Sequence, residues 1–296
     1  DILKLGLVYP LPRRMIEDFA KSVKTLYVIE ELDPFIETQI KSWGLSVIGK
    51  EIFPATGEFS PDILRKSLNI ESASLSKRSQ ISFLEVPERR PRLCPGCPHG
   101  HVFSVLKEKG LIVAGDIGCY TLGTLPPYEV IDTCLDMGAS ITMAQGIGLV
   151  NAENNSSVKV AAVIGDSTFA HSGITGLLNA CWNKRDGLFV VLDNGTTAMT
   201  GMQPNPASGE RLGREDAPKL DYCYLSKAFN IPADNFAVVD AYNKSAITET
   251  LDTMIEKSGV RLLVIMGLCV IEMQKLKKLG KLEQKKTVRR NLSTDE

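Results

Sequence analysis

The sequence has little net charge, few histidines and no long apolar run. Its 34 Lys and Arg balance 35 Asp and Glu to a formal net charge of −1, so no global field draws the chain to nucleic acid or to an anionic membrane. No apolar stretch approaches the roughly 18 residues of a membrane-spanning helix, and no secretory signal pattern is present. We therefore expect a cytoplasmic protein that binds neither nucleic acid nor membranes.

Aromatic residues are also scarce, at 6% of the 296 residues, whereas 44% are hydrophobic. This is the composition of an ordinary soluble α/β protein, and the length allows one large domain and a smaller one. The first residue is Asp1 rather than Met, and Leu5–Tyr9 already has the pattern of a core strand. We therefore expect the chain to be a piece of a longer polypeptide.

Residues 1–70 alternate short apolar runs with helical patterns. The predicted strands are Leu5–Tyr9, Thr25–Ile29 and Ser46–Ile48, and the predicted helices are Pro12–Val23 and Pro34–Trp43. Short strands separated by helices are typical of a parallel sheet and predict a small α/β domain. Residues 71–92, rich in Ser, Arg and Pro, break this rhythm and predict an interdomain linker.

A second, larger α/β domain is predicted for residues 93–273. Its near-continuous apolar runs are Val158–Ile164, Gly187–Leu192 and Arg261–Met266. Such runs are typical of strands in a parallel sheet that is covered on both faces. Residues 274–296 are polar and charged, and we expect a frayed or solvated helical tail there.

Polar side chains follow two of these strands at the point where each strand ends. The first runs into Gly165–Thr168 and the next into Asp193–Thr196. Ligands of open α/β sheets bind at the carboxyl edge, so these residues predict a binding site there. The Asp166 carboxylate, the Asn194 amide oxygen and a nearby backbone carbonyl form a hard-oxygen set that suits Mg²⁺ with phosphate ligands. Gly165 allows close backbone approach, and N–H groups near Ser167 suit phosphate oxygens.

Seven cysteines are present, and disulfides are not expected in a cytosolic chain. Cys94 and Cys97 form a Cys-x-x-Cys that is consistent with a redox dithiol, half of a zinc site, cluster ligands or two structural thiols. No second Cys-x-x-Cys completes a zinc ribbon, and no strand directly precedes the motif as in thioredoxin-like proteins. Cys134, Cys181 and Cys223 lie in helical or strand contexts, which predicts core packing.

Five blocks of the sequence together carry a family signature. They are Leu93–His99, Gly115–Gly123, Met137–Ile141, Gly165–Gly173 and Leu192–Pro204. This set resembles the large subunit of indolepyruvate:ferredoxin oxidoreductases, and residues 1–70, including Val28–Glu31, resemble the small domain that precedes the cofactor domain there. The resemblance implies an α/β protein with a thiamine-diphosphate-binding fold, a parallel sheet flanked by helices. It also implies a smaller transketolase-C-terminal-like α/β domain before it.

The resemblance implies roles for the matching positions. The Mg²⁺ ligands would be Asp166 and Asn194 through side chains and Thr196 through its backbone carbonyl. The diphosphate would be lined by Gly165, Ser167 and Thr168, and the thiazolium or its phosphates by Gly118, Cys119, Gly138 and Ala139. Thr200 and Gln203 would border the same pocket. His99 and His171 match family blocks and are the candidate catalytic residues, suited to proton transfer near pH 7, and His101 is a weaker candidate.

The cysteines acquire a further meaning from the resemblance. In related 2-oxoacid:ferredoxin oxidoreductases, four cysteines in the order of Cys94, Cys97, Cys119 and Cys269 hold one [4Fe–4S] cluster near the thiamine. The implied reaction is oxidative decarboxylation of an aryl 2-oxoacid such as indolepyruvate. Coenzyme A takes the acyl group, and ferredoxin takes the electrons.

The family resemblance also implies parts that these residues do not contain. The glutamate that activates thiamine lies in an upstream domain, and a ferredoxin-like domain follows downstream, so we expect this chain alone not to complete turnover. A smaller partner subunit and a hetero-oligomer are expected. Two alternatives stay open: a non-redox thiamine decarboxylase in which the four cysteines are packed thiols, and a non-catalytic subunit that keeps the fold.

Overall fold

The computed structural model describes residues 1–70 and 89–283. The chain divides into two compact units, one within residues 1–87 and the other within residues 88–296. The predicted linker, residues 71–92, lies outside the described residues except for 89–92. Of the predicted tail, residues 284–296 also lie outside them.

Within residues 1–70, the first unit contains three helices around a small apolar core. The helices are α1 (Arg13–Ser22), α2 (Phe35–Ser42) and α3 (Pro61–Ser67), which confirms the two helices predicted there. The core consists of Leu11, Ile16, Val28, Ile40 and Val47. Its parallel pairing is one bridge between Tyr27 and Ile48, where the Val28 N–H donates to the Ile48 carbonyl at 2.9 Å.

The strand predicted at Leu5–Tyr9 is wrong. No backbone hydrogen bond joins these residues to another segment of the part of the chain that the structure describes. Leu7, Val8 and Tyr9 are between 50% and 73% exposed. An apolar run of this length does not by itself define a strand, and Pro10 directly after it has no N–H to continue a ladder.

The second unit is built on a six-stranded parallel sheet with the order β2-β1-β3-β4-β6-β5. The strands are β1 (Ile112–Gly115), β2 (Thr133–Cys134), β3 (Val160–Gly165), β4 (Gly187–Asp193), β5 (Phe236–Asp240) and β6 (Val260–Met266). The three strands predicted from apolar runs are confirmed as β3, β4 and β6. All six strands end at the same edge of the sheet because every pair is parallel.

Helices cover both faces of this sheet. They are α4 (Pro98–Lys109), α5 (Ala139–Glu153), the single turn α6 (Asp166–Thr168), α7 (Ile174–Trp182), α8 (Tyr222–Ala228), α9 (Lys244–Glu256) and α10 (Val270–Lys278). A π-helical turn, Phe169–Gly173, connects α6 to α7. Among the helices of residues 1–70 and 89–283, none is long and apolar enough to cross a bilayer.

Alternate residues of each central strand enter two separate cores. In β3, Val163 packs with residues of α4 and α9, whereas Ile164 packs with residues of α5 and α7. In β6, Leu263 lies in the same core as Val163, and Val264 lies in the same core as Ile164. This double coverage explains why the strand sequences are apolar at almost every position.

Candidate functional site

The structure brings together the acid and the amide that follow two neighbouring strands. β3 and β4 pair with Gly165 opposite Leu192, so Asp166 and Asn194 both lie just past the carboxyl edge of the sheet. The Gly195 backbone N–H donates to Asp166 Oδ2 at 2.9 Å and thereby joins the two strand ends. Both side chains are buried, and both lie at the edge of the sheet where the sequence predicts a binding site.

The loop after β4 holds the amide in place. Asn194 Oδ1 accepts the Thr196 backbone N–H at 3.1 Å, and Thr196 is itself buried. The Thr197 hydroxyl donates to Ser167 Oγ at 2.8 Å, which links this loop to the one after β3. The predicted Mg²⁺ ligands Asp166, Asn194 and Thr196 therefore lie in one hydrogen-bonded cluster, which we call the oxygen site.

The oxygen site contains one acidic side chain. In residues 1–70 and 89–283, no three His, Cys, Asp or Glu side chains come together so as to hold a metal ion. Of the predicted Mg²⁺ ligands, only Asp166 belongs to these residue types. The other two ligands are the Asn194 amide oxygen and the Thr196 backbone carbonyl. A carboxylate has about four acceptor positions, enough for backbone donors and a cation, and hard oxygens suit Mg²⁺, so the donor chemistry fits this ion.

The ring of Tyr120 fills the space beside the oxygen site. Its hydroxyl donates to the Ile117 carbonyl at 2.7 Å and lies 3.1 Å from Thr168 Oγ1. A Cβ on Gly165 would lie 2.4 Å from this ring, and a Cβ on Gly118 would lie 2.5 Å from it. Both glycines therefore make room for Tyr120. Burial raises the pKa of Tyr120 above its usual value, so its hydroxyl is a donor at neutral pH.

Asp116, just past the end of β1, is a site residue to which the sequence analysis gave no role. Its fully buried carboxylate accepts backbone N–H groups from Ile117 and Gly138, both at 2.8 Å, and from Ser140 at 3.1 Å. These bonds fix the turn that begins α5 and place a negative charge at the helix N-terminus, where it is favourable. The sequence feature that could have identified it is its position, since Asp116 follows β1 as Asp166 follows β3.

We expect Gly138→Ala to lower the free energy of unfolding by about 1–3 kcal/mol, the usual cost of a left-handed backbone at a residue with a side chain. Gly138 has a φ of +98°, and an added Cβ would lie 2.1 Å from Ser172 Oγ. The matched control is Gly146→Ala, in the same helix, where an added Cβ meets no atom within 4 Å. The control should stabilise the protein by about 0.5–1 kcal/mol. Urea unfolding measures both, and equal effects would contradict the expectation.

Four cysteines from three separate segments line one cavity of about 100 Å³. These are Cys94, Cys97, Cys119 and Cys269, and we call this cavity the cysteine pocket. Burial, reinforced by the neighbouring thiols, raises the pKa of Cys97 to about 11, and burial likewise raises the pKa of Cys119. Both are therefore thiols at neutral pH and release a proton on binding a metal. The structure thus brings together the cysteines that the resemblance predicted as cluster ligands.

Three of these four cysteines are placed by the start of a helical element. Cys97 precedes α4, Cys119 begins a 3₁₀ turn after β1, and Cys269 precedes α10. The Cys269 backbone N–H donates to the Asn194 carbonyl at 3.0 Å. The cysteine pocket therefore adjoins the oxygen site, and Asn194 lines its wall.

The three histidines of the chain lie in different environments. His99 is 3% exposed and lines the cysteine pocket, with its Nε2 3.5 Å from Asn194 Nδ2. Burial lowers the pKa of His99 to about 4, so its ring is neutral at pH 7. His101 is exposed beside the ring of Tyr242, and His171 is exposed on the π-helical turn. Of the two candidate catalytic histidines, the structure brings His99 to the site.

The remaining predicted positions are more peripheral. Thr200 and Gln203 are exposed and bond to each other, with 2.6 Å between Thr200 Oγ1 and Gln203 Oε1. The pocket wall near them is instead formed by Ala198 and Met202. The three cysteines predicted to pack in the core are half-buried, and Cys181 contacts the core on the α5 side of the sheet.

Comparison with known proteins identifies the class. The family model for the thiamine pyrophosphate enzyme, C-terminal TPP binding domain, matches residues 116–265. The chain therefore belongs to the thiamine pyrophosphate enzyme family through this domain, and the predicted fold of the larger unit is confirmed. The match includes both strand ends of the oxygen site as well as Asp116.

Two curated relatives place the chain in a narrower group of these enzymes. The chain is 36% identical over 310 residues to indolepyruvate oxidoreductase subunit IorA of Pyrococcus abyssi, covering 95% of this chain and 47% of that protein. It is also 36% identical over 286 residues to subunit IorA of Archaeoglobus fulgidus, covering 91% of this chain and 45% of that protein. The resemblance to indolepyruvate:ferredoxin oxidoreductase large subunits is thereby confirmed. The chain spans about half the length of these curated relatives.

A solved structure shares the fold. It is 2-oxoglutarate:ferredoxin oxidoreductase from Magnetococcus marinus with 2-oxoglutarate, coenzyme A and succinyl-CoA bound, which superposes with a TM-score of 0.50 at 17% identity. The superposition covers 64% of this chain and 70% of that one. At this identity the likeness concerns the fold alone.

Proposed function

We propose that this chain supplies the thiamine-diphosphate and Mg²⁺-binding part of an oxidoreductase that oxidatively decarboxylates aryl 2-oxoacids, with indolepyruvate as the substrate. The observation that carries the proposal is the joining of Asp166 and Asn194 at neighbouring strand ends through the Gly195 N–H. Thiamine diphosphate, when bound, supplies the electron sink for decarboxylation. The residues described below bind and orient it.

The oxygen site would hold the cation and the diphosphate. Asp166 and Asn194 would act as Mg²⁺ ligands through their side chains and Thr196 through its carbonyl, with Ser167 and Thr168 beside the diphosphate. The Gly195 N–H keeps the Asp166 carboxylate in one orientation, and the Thr196 N–H does the same for the Asn194 amide. A ligand set fixed in this way loses little conformational entropy when the cation binds.

The cysteine pocket fits a [4Fe–4S] cluster as electron acceptor. Four thiolates are what such a cluster requires, and the four cysteines line a single cavity beside the oxygen site. A single metal ion needs ligands converging on one point, whereas the four irons of a cluster spread its ligands apart.

The name of the relatives supports the substrate and a multi-subunit assembly. Relatives named indolepyruvate oxidoreductase subunit IorA favour indolepyruvate as the substrate and a hetero-oligomer as the assembly. The sequence resemblance adds coenzyme A as acyl acceptor, ferredoxin as electron acceptor and a smaller subunit as partner. We place the reaction in the cytoplasm. Residues 1–70 would be the small domain, 93–273 the cofactor domain and 274–296 the tail. Because the chain spans about half of its relatives, the complete reaction belongs to the full-length protein.

The test uses the full-length protein with its partner subunit, purified anaerobically. We expect indolepyruvate and coenzyme A to reduce ferredoxin only when thiamine diphosphate and Mg²⁺ are present, and 2-oxoglutarate to be a poor substrate. Release of CO₂ and an aldehyde without any electron acceptor would contradict the proposal in favour of a non-redox decarboxylase. No thiamine-diphosphate binding by calorimetry would indicate a non-catalytic subunit.

A further inference from the structure

His99 lies where the oxygen site and the cysteine pocket meet. It is the second residue of α4, and its ring lines the cysteine pocket. Its backbone N–H lies close enough to the Cys97 sulfur to lower the pKa of that thiol, and its Nε2 is 3.5 Å from Asn194 Nδ2. One residue therefore contacts a thiol of one centre and the amide ligand of the other.

The hydrogen bonds around Asn194 define how the two side chains face each other. Asn194 Oδ1 accepts the Thr196 N–H, which leaves Nδ2 directed towards His99. An amide N–H facing Nε2 makes that nitrogen the acceptor, so the proton of the neutral ring lies on Nδ1. At 3.5 Å the contact is at the long end of the hydrogen-bond range, and closing it requires only a small movement.

The ring of His99 is held by aromatic neighbours. It meets the Tyr120 ring edge-on with centroids 6.2 Å apart, and the Phe103 ring at 6.5 Å. Tyr120 in turn lies against Gly165, the residue before Asp166. The position of the imidazole is therefore fixed by the same packing that shapes the oxygen site.

A second contact ties the two centres together. The Cys269 N–H donates to the Asn194 carbonyl, so Asn194 is linked to the pocket through both its side chain and its backbone. We propose that His99 is a positioning residue shared by both centres, which fixes the Asn194 amide and transmits the occupation of the oxygen site to Cys97. This inference rests on the proposed function. Coupling between two sites is reciprocal, so its loss should be measurable at each of them.

A purely structural role for His99 predicts a different outcome. If the ring only fills space, an apolar residue of similar size would preserve ligand binding whenever the protein folds. If the ring accepts from Asn194, an apolar residue leaves a buried amide N–H without an acceptor. A glutamine at the same position supplies an amide oxygen and should restore the contact.

The first measurement is calorimetric binding of thiamine diphosphate with Mg²⁺ to the full-length protein. We expect His99→Leu to bind on the order of tenfold more weakly, from the cost of an unsatisfied buried donor. His99→Gln should bind within a few-fold of the unaltered protein. His101→Leu is the matched control, since His101 is exposed on the same helix, and it should have no effect. Melting temperatures measured on the same variants show whether a loss of binding is caused by a loss of folding.

The second measurement is the electron paramagnetic resonance spectrum of the reduced cluster, before and after adding thiamine diphosphate and Mg²⁺. We expect the addition to change the spectrum in the unaltered protein and in His99→Gln. In His99→Leu with saturating cofactor the change should be much smaller, since only the backbone contact between Asn194 and Cys269 remains. If His99→Leu binds thiamine diphosphate as tightly as His101→Leu does, the inference is wrong and the proposed function is unaffected. Equal weakening in His99→Gln and His99→Leu would overturn the acceptor role. An unaltered protein that binds no thiamine diphosphate, or holds no iron in the pocket, would overturn both proposals.

Discussion

Asp166→Asn should weaken Mg²⁺-dependent binding of thiamine diphosphate on the order of a hundredfold, which corresponds to about 2.7 kcal/mol. The substitution keeps the shape of the side chain and removes the negative charge that Asp166, the one acidic residue among the predicted ligands, offers to the cation. Hard divalent cations depend strongly on such charge, because it offsets the loss of their water shell. Calorimetry on the full-length protein measures the change directly.

The matched control is an aspartate next to the neighbouring strand. Asp186 precedes β4 at the opposite edge of the sheet, where its carboxylate pairs with Arg261 at 2.6 Å. Asp186→Asn should leave cofactor binding unchanged and lower the melting temperature slightly, because Arg261 is buried and loses a partner. A similar loss of binding in both variants would show that Asp166 acts on the fold and not on the cation.

Cys97→Ser should remove one cluster, about four irons per chain, because a [4Fe–4S] cluster held by four thiolates lacks a ligand. Cys97 is the most informative of the four, since its thiol is largely buried and close to the other three. Iron analysis and electron paramagnetic resonance after anaerobic purification measure the loss relative to the unaltered protein. A serine hydroxyl preserves much of the shape, so the fold should be retained.

Cys223→Ser is the control for this experiment. Cys223 is half-buried on α8 and does not line the cysteine pocket. Its substitution should leave the iron content unchanged. If Cys97→Ser also retains the full iron content, the four cysteines are packed thiols, and the non-redox alternative gains support.

The centre of the site was predictable because it depends on local sequence. A strand of a parallel sheet covered on both faces is apolar along its length, and the first polar residues after it must lie at the carboxyl edge. This reasoning placed Asp166 and Asn194 correctly relative to β3 and β4. It needed no knowledge of how distant segments pack.

The supporting residues were not predictable because they depend on contacts across the chain. Asp116 is separated from Gly138 by a strand and a 3₁₀ turn, and its role emerges only when α5 is in place. Gly165 was predicted as a point of close cofactor approach, yet the structure gives it a second purpose, room for Tyr120. The apolar pattern of Leu5–Tyr9 predicted a strand. The pattern does not say whether a neighbouring segment is available to form backbone hydrogen bonds with it.

The carboxylate of Asp116 has a consequence for how the site meets its ligand. Since two of the donors at the start of α5 are already satisfied within the protein, this helix end exerts little pull on a diffusing phosphate. The turn that it anchors is held by three backbone N–H groups that donate to one carboxylate. We therefore expect the diphosphate to be bound by the loops after β3 and β4, with Gly138 and Ala139 left to contact the thiazolium.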